Sequence, residues 1–563
     1  MKEKKNINAY ILTGVIVVSV IIGGGYFLSA SAITVIPLVI LYSMIIWKNK
    51  KIKLCMDINL AAIVLVTGFY LISPLWALDS GMAFMGSIKF FPILILYLLT
   101  FYIDGGIEKI KGLLPVIGTV TTIFAFVMMQ ISYFENYISV AGRLGGFFQY
   151  PNTYALFMLI CLIIVSYKIK NDDKKDWLDI AHVIVACIGI YLSGSRTVFI
   201  LTVAFAIVFF VLNTKNNKKV ILGIIGAVVA VGAILIFVLD NEGMSHIISS
   251  NLSTFWGRFL YYKDALPYIL KHPFGVGYYG YAFSQYEFQT GVYTVVNIHN
   301  ELLQFMLDIG WVPAILLYVC IIKSIISKDT CERDKMVLSV ILIHSLFDYD
   351  FQFISMFYIL VLFFNKKKVN EYKISGVSKV VVTIIALVAV GFSVPVGISD
   401  YYSVMKDYDK SIKAYSGNTM AKVGKLINET NEDEIEKTAL DIIDSNEHIQ
   451  MAYSALARSE FAKGNVDKYI LLKEKAISLS PYNYEEYSEY LSVMYYCTMQ
   501  YSNMGDKNSA YKCYEKMKSI PDKLKIVEEK TSSLGWKIKD KPTVNLSEEE
   551  LDMIRDAERL VYE

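Results

Sequence analysis

Residues 152–197 read NTYALFMLICLIIVSYKIKNDDKKDWLDIAHVIVACIGIYLSGSRT, and this stretch decides the fold. Two apolar runs, 152–168 and 179–194, flank a lysine cluster from Lys168 to Lys175. A backbone crossing hydrocarbon must satisfy its own hydrogen bonds, so such runs read as membrane helices. The lysine cluster belongs on the cytoplasmic side by the positive-inside rule. The tight turn Ser193-Gly194-Ser195-Arg196-Thr197 then faces outward and carries a lone arginine.

The same pattern continues in both directions. Apolar spans recur near 8–28, 30–47, 58–77, 86–102, 112–133, 197–212, 220–239, 301–322, 335–347, 352–365 and 379–398. The 335–347 run is short and needs extension or an irregular buried end. Lysine clusters (Lys2 to Lys5, Lys48 to Lys53, Lys109 with Lys111, Lys168 to Lys175, Lys215 to Lys219, Lys323 to Lys335, Lys366 to Lys379) occupy every second connection. The expected fold is therefore all-α, a polytopic helical membrane protein of about 12–13 spans with a large extracytoplasmic loop at 240–300. An odd count of about 13 puts the N-terminus in the cytoplasm and the C-terminal region outside. A composition of 55% hydrophobic residues and a mean hydropathy of +0.45 fit that class. Lys2 to Lys5, the first apolar run and Ala30-Ser31-Ala32 imitate a secretory signal. A second span follows almost at once, so an uncleaved first helix is the expectation.

Composition changes at residue 400, dividing the chain into a membrane domain, 1–399, and an extracytoplasmic domain, 400–563. The tail holds about 30 acids against about 23 bases, whereas the membrane part is basic. Ala455-Leu456, Phe461-Ala462-Lys463-Gly464-Asn465, Tyr469, Ala476-Ile477 and Leu479-Ser480-Pro481 resemble a tetratricopeptide repeat. A degenerate copy runs from Tyr487 through Ala510 and Tyr514 to Ile520-Pro521. Such a helical array offers a surface for a protein partner, or serves as a packed spacer. The seven cysteines show no zinc spacing. Cys497 and Cys513 fall on neighbouring expected helices, where a disulfide is one option.

Arginine is the rare base. It occurs only at 143, 196, 258, 333, 458, 555 and 559, among 54 basic residues. Arg143, Arg196 and Arg258 fall in outward segments, against the charge rule. A guanidinium grips phosphate bidentately and keeps its charge, so the set suggests an anionic ligand at the outer face. Each alone could instead snorkel to lipid phosphate.

Three outward segments surround these arginines. The first is Gly142-Arg143-Leu144-Gly145-Gly146-Phe147-Phe148-Gln149-Tyr150-Pro151-Asn152-Thr153, where glycines allow close backbone approach and Pro151-Asn152 can start a helix. The second is the Ser195-Arg196 turn. The third is the long loop, with the amphipathic run Phe255 to Leu266 around Arg258, then His272-Pro273-Phe274-Gly275-Val276-Gly277 and Asn297-Ile298-His299-Asn300. His299, at the mouth of a span, is suited to take a proton near neutral pH, or to make a helix-start hydrogen bond.

In order, spacing and topology, the Gly142–Thr153 run, Ser195-Arg196, Arg258 with His272 to Gly277, and His299-Asn300 with Leu303 and Gly310 resemble the O-antigen ligase/polymerase superfamily. The resemblance covers roughly residues 60–365. It implies transfer of a polyprenyl-diphosphate-linked glycan to an acceptor hydroxyl at the outer face of a bacterial plasma membrane. It assigns Arg196 and Arg258, with Arg143 as a third contact, to the diphosphate, and His299 to the acceptor hydroxyl. Attack opposite the departing diphosphate would invert the anomeric centre.

Accessory candidates are Lys89, Asn300, His272, Asp348 and Asp350. Lys89, near the outer end of its span, suits an interfacial lysine. Asp348-Tyr349-Asp350 could bind metal or acceptor, although turn chemistry or helix capping is the simpler reading. No metal and no cofactor is called for. The expected partners are the lipid-linked glycan, membrane lipids, and an acceptor that is a glycan, a wall polymer or a surface protein; no nucleic acid is expected. Ligase, repeat-unit polymerase and protein O-glycosyltransferase stay open as variants. A lipid-glycan flippase is a more distant alternative, which would show many deep charges where Asp308 is the clearest.

Overall fold

The computed structural model describes residues 2–103, 105–172, 176–213, 252–365 and 369–562. The span expected at 220–239 and the outer loop from 240 to 251 lie outside the described residues. In chain order the helices are α1 (Lys2–Ile21), α2 (Leu28–Lys48), α3 (Ile58–Ile72), α4 (Ser80–Leu99), α5 (Gly106–Met129), α6 (Ser132–Ile138), α7 (Pro151–Asn171), α8 (Trp177–Ser193) and α9 (Arg196–Asn213). Then follow α10 (Leu252–Lys271), α11 (Gly280–Phe288), α12 (Glu301–Ile309), α13 (Trp311–Ile326), α14 (Glu332–Ser345), α15 (Ile354–Phe363) and α16 (Gly376–Val404). The tail holds α17 (Tyr408–Ala414), α18 (Thr419–Asn428), α19 (Glu432–Ser445), α20 (Gln450–Ala462), α21 (Val466–Leu479), α22 (Tyr484–Asn503), α23 (Lys507–Lys518), α24 (Ile520–Lys530) and α25 (Glu548–Tyr562).

The fold is that of an all-α polytopic membrane protein. Among the described residues, six helical segments are long and apolar enough to cross a membrane: Leu28–Lys48, Ile58–Leu75, Ser80–Tyr102, Gly106–Met129, Pro151–Asn171 and Gly376–Val404. Among the described residues, strand is confined to two antiparallel ribbons, β1 (Lys51–Leu54) with β4 (Asn370–Lys373) and β2 (Ser139–Val140) with β3 (Arg143–Leu144). The run expected at 301–322 is broken between α12 and α13, because Gly310 takes φ +87°, a conformation that ends a right-handed helix. The short 335–347 run gains length at its N-terminal end, where α14 begins at Glu332.

The described chain forms two compact units. One comprises 1–75, 84–250 and 298–401; the other comprises 76–83, 251–297 and 402–563. Hence the outer-loop segment from α10 to Asn297 packs with the tail, which the sequence reading set apart as a domain of its own at 400–563. In the first unit, α15 is buried along its whole length and α7 from Thr153 to Val165. Both are apolar on every face, which is what a central helix requires.

In the second unit, α20–α21 and α22–α23 are helical hairpins turning at Gly464 and Gly505, with φ of +81° and +77°. Tyr469, Tyr490, Met494 and Tyr514 fill the core between them. Cys497 and Cys513 lie in that core as buried free thiols, not as a disulfide. The buried Asp264 of α10 accepts hydrogen bonds from Thr290 N and Oγ1, both at 2.7 Å, and from Tyr293 Oη at 3.1 Å. Thr290 O in turn accepts from Ser532 N at 2.9 Å, fixing α10 and the 290–293 segment to the tail. Gly291 and Gly535 meet backbone to backbone there; a Cβ on Gly291 would stand 2.8 Å from Gly535 Cα.

Candidate active site

The site in the first unit is built on the β2–β3 hairpin, the N-terminus of α7, the start of α12 and the α14–α15 connection. Ala141 and Gly142 form the hairpin's two-residue loop with φ of +51° and +74°. Two successive positive φ values mark the tight turn that matches strand twist. The hairpin delivers Arg143, whose Nε donates to Ser193 O at 2.8 Å and whose Nη2 donates to Asn152 Oδ1 at 2.8 Å. This guanidinium therefore ties the end of α8 to the first turn of α7. Gly145 lets the following chain fold back, since a Cβ there would lie 2.8 Å from Tyr150 N.

Pro151-Asn152 starts α7, as expected. Tyr150 occupies the cap, Pro151 the first helical position, and the Asn152 side chain is turned outward from the helix start. Its Nδ2 donates to Asp348 Oδ2 at 2.7 Å. Tyr150 Oη donates to Asp348 Oδ1 at 2.8 Å, and Tyr349 N donates to the same oxygen at 3.0 Å. Asp348 is only 1% exposed. A buried carboxyl group needs such donors to offset its lost hydration.

His299 faces this carboxylate, with Nδ1 3.3 Å from Asp348 Oδ1. Its backbone has φ +56°, which a non-glycine residue adopts only when its surroundings enforce it. Asn300 supplies the enforcement. It caps α12 by accepting from Leu303 N at 3.1 Å, while its Nδ2 donates to Leu346 O at 2.9 Å. The residue after His299 is thus locked to the connection that carries Asp348. The Tyr349 ring packs edge-on against His299, centroids 4.9 Å apart.

Behind this pair lies a buried polar layer. His344 Nδ1 meets Asp350 Oδ2 at 2.7 Å, and Thr153 Oγ1 donates to Asp350 Oδ1 at 3.0 Å. Glu301 accepts from Phe351 N at 3.1 Å and from Gln352 Nε2 at 2.9 Å. Asp348 and Asp350 therefore meet side chains of α7 and α14; of the turn chemistry or helix capping expected, Asp348 shows the former, its Oδ1 accepting from the adjacent Tyr349 N. Lys89, expected at the outer end of its span, is buried. Because α4 starts at Ser80, before the apolar run, Lys89 falls mid-helix, with Nζ 3.5 Å from Gln352 Oε1 and 5.0 Å from the Tyr26 ring centre.

Arg196 opens α9 and is exposed. Arg258 and His272 belong to the second unit. Arg258 lies on α10, part-buried, and the His272 ring stacks on Tyr268 with Nδ1 2.8 Å from Tyr268 O. After His272 the chain turns through Gly275 and Gly277, φ +78° and +86°. At Gly277 a Cβ would meet that of Ala77 at 2.4 Å. The structure thus joins Arg143, Asp348 and His299 through Asn152 in one network, with Asn300 bonded to the connection that carries Asp348 and Asp350 held separately by Thr153 and His344. Tyr150 and His344 are participants to which the sequence gave no role, and Asn152 was read only as part of a helix start, although Tyr150 and Asn152 sit inside the Gly142–Thr153 motif. Among the described residues, no three His, Cys, Asp or Glu side chains are grouped as metal ligands would be.

Residues 181–318, about a quarter of the chain, match the family model for O-Antigen ligase. The match includes Arg196, Arg258, His272, His299 and Asn300, and supports the O-antigen ligase/polymerase superfamily. No curated protein matches the chain.

Proposed function

Starting from that superfamily, we propose that this protein transfers a polyprenyl-diphosphate-linked glycan to an acceptor hydroxyl at the outer face of a bacterial plasma membrane. The observation that carries the proposal is the His299–Asp348 pair inside a membrane protein with an O-antigen ligase match. With Nδ1 directed at the carboxylate, the imidazole presents Nε2 as its basic nitrogen. The Nε2 takes the acceptor proton as the acceptor oxygen bonds to the anomeric carbon. The bond from that carbon to the diphosphate breaks, and its electron pair leaves with the lipid diphosphate. Configuration is inverted.

Arg196 and Arg258 are proposed, on the family resemblance, to compensate the charge developing on the leaving diphosphate. Arg143 is assigned first to positioning, since Ser193 O and Asn152 engage its Nε and Nη2. His272, Lys89 and Asp350 receive no direct chemical role. The lysine pattern supports a cytoplasmic N-terminus and an extracytoplasmic 400–563 segment. Neither step needs a metal or another cofactor.

The test incubates purified full-length protein with polyprenyl-diphosphate oligosaccharide, with and without chelator, and with candidate glycan, wall-polymer and protein acceptors. Lipid diphosphate release and product size are followed. Release by wild type and not by His299→Ala or Arg258→Ala supports transfer. Products growing by whole units define a polymerase, and single additions to an acceptor define a ligase. Movement of intact donor across vesicles without release with any acceptor overturns the reading in favour of a flippase.

A further inference from the structure

The second unit contains a groove of about 550 Å³ that the transfer chemistry does not use. One wall is α11 with the 289–296 segment; the other is α18, the start of α20 and the turn at 480–483. Phe283, Tyr286, Tyr293 and Tyr482 contribute rings, and Gln289, Gln450 and Asn483 contribute amides. No Asp, Glu, Lys or Arg lines it among the described residues. The volume lies within the range of small-ligand sites.

The groove is preformed. Gln285 donates from Nε2 to Val295 O and accepts from Val295 N, both at 2.9 Å, so its side chain replaces a strand neighbour for this segment. Tyr482 is fixed through its hydroxyl, 3.2 Å from Thr531 Oγ1. Gln289 is the telling residue. It is 95% buried, being 5% exposed, and its Oε1 has no hydrogen-bond partner. A buried amide oxygen without a donor is unfavourable unless something supplies one. Gln289 is itself a wall residue of the cavity, beside aromatic rings.

We propose that this groove binds an uncharged saccharide chain, stacking sugar rings on its tyrosines and receiving a sugar hydroxyl at Gln289 Oε1. Sugar rings present apolar C–H faces and hydroxyl edges, which aromatic faces and amides satisfy together. His448 also lines the groove but is hydrogen-bonded to Glu287, and with no lining Asp, Glu, Lys or Arg among the described residues the groove selects against phosphate-rich polymers and charged peptides. The assignment of that saccharide as acceptor or product rests on the glycan-transfer reading; its binding does not.

The test uses full-length protein in nanodiscs with chitotetraose, cellotetraose and maltotetraose as neutral probes. An uncharged Gly-Ser peptide serves as the competing class. Saturation-transfer NMR reads binding to wild type, Gln289→Leu and Tyr286→Ala, with melting temperature as the check on folding. Tyr286 is half-buried, so its variant keeps the test open should Gln289→Leu fail to fold. Support is binding of at least one tetrasaccharide, weakened about tenfold in a folded variant. Binding of none of the three, equal binding in folded variants, or binding of the peptide alone overturns the proposal. Donor diphosphate release is measured on the same preparation. Release without saccharide binding overturns the groove alone, and binding without release overturns the transferase reading alone.

Discussion

His299 Nδ1 sits 3.3 Å from Oδ1 of Asp348, a carboxylate that Tyr150 and Asn152 also address. If the pair acts as orienter and base, Asp348→Asn preserves shape but loses both the charge and the capacity to accept from two side chains. Lipid diphosphate turnover is expected to fall about 10²–10⁴-fold, with little change in the donor KM. The double variant with His299→Ala should be no slower than His299→Ala alone. Turnover unchanged by Asp348→Asn would make the contact structural only.

Arg143 and Arg196 should separate by kinetics. Arg143→Lys loses the planar fork that spans Ser193 O and Asn152 Oδ1, and a lysine offers one point of contact. It is expected to lower the melting temperature by several degrees and the turnover with it, at nearly constant donor KM. Arg196→Ala, at an exposed helix start, should leave melting unchanged and weaken donor use. Titration of donor against both variants, with thermal unfolding alongside, checks the division.

The bundle was legible because lipid leaves helices as the only economical solution, so apolar runs and alternating lysine clusters sufficed. His299-Asn300 was legible as a motif. Its partner was not, since Asp348 is 49 residues away and reaches His299 only after α12 and the α14–α15 connection are pinned by Asn300. Lys89 was misplaced for a related reason. Hydropathy reports the apolar run, whereas α4 begins six residues earlier, at Ser80 instead of 86. The Gln289 groove had no sequence signal, because it needs a loop segment and tail helices about 130 residues further on.

Lys89 and Glu301 share Gln352, whose Oε1 faces the ammonium and whose Nε2 donates to the carboxylate. Removing the ammonium leaves Gln352 Oε1 without this buried donor. Lys89→Met is therefore expected to destabilise the protein by about 1–3 kcal/mol, and Lys89→Met with Glu301→Gln, whose amide can donate to Gln352, by clearly less. Thermal unfolding of both variants in the same detergent measures the difference. Equal loss in the two would show that Lys89 matters through packing alone.

His448 and Glu287 join the α19–α20 connection to α11 beside the groove, as an imidazole–carboxylate hydrogen bond. That bond raises the His448 pKa above its ordinary value, against a smaller opposing effect of burial. The sign follows from proton linkage: a folded-state pKa above the unfolded value means the folded form binds the proton more tightly. Stabilisation is complete below the ordinary histidine range and disappears as pH rises through the elevated folded value. Both side chains retain solvent contact, so the effect should be below about 1 kcal/mol. The melting-temperature advantage of wild type over His448→Gln should accordingly be present at pH 6 and shrink toward pH 8.5. An advantage that grows with pH would contradict the assignment of the pair as charge-assisted.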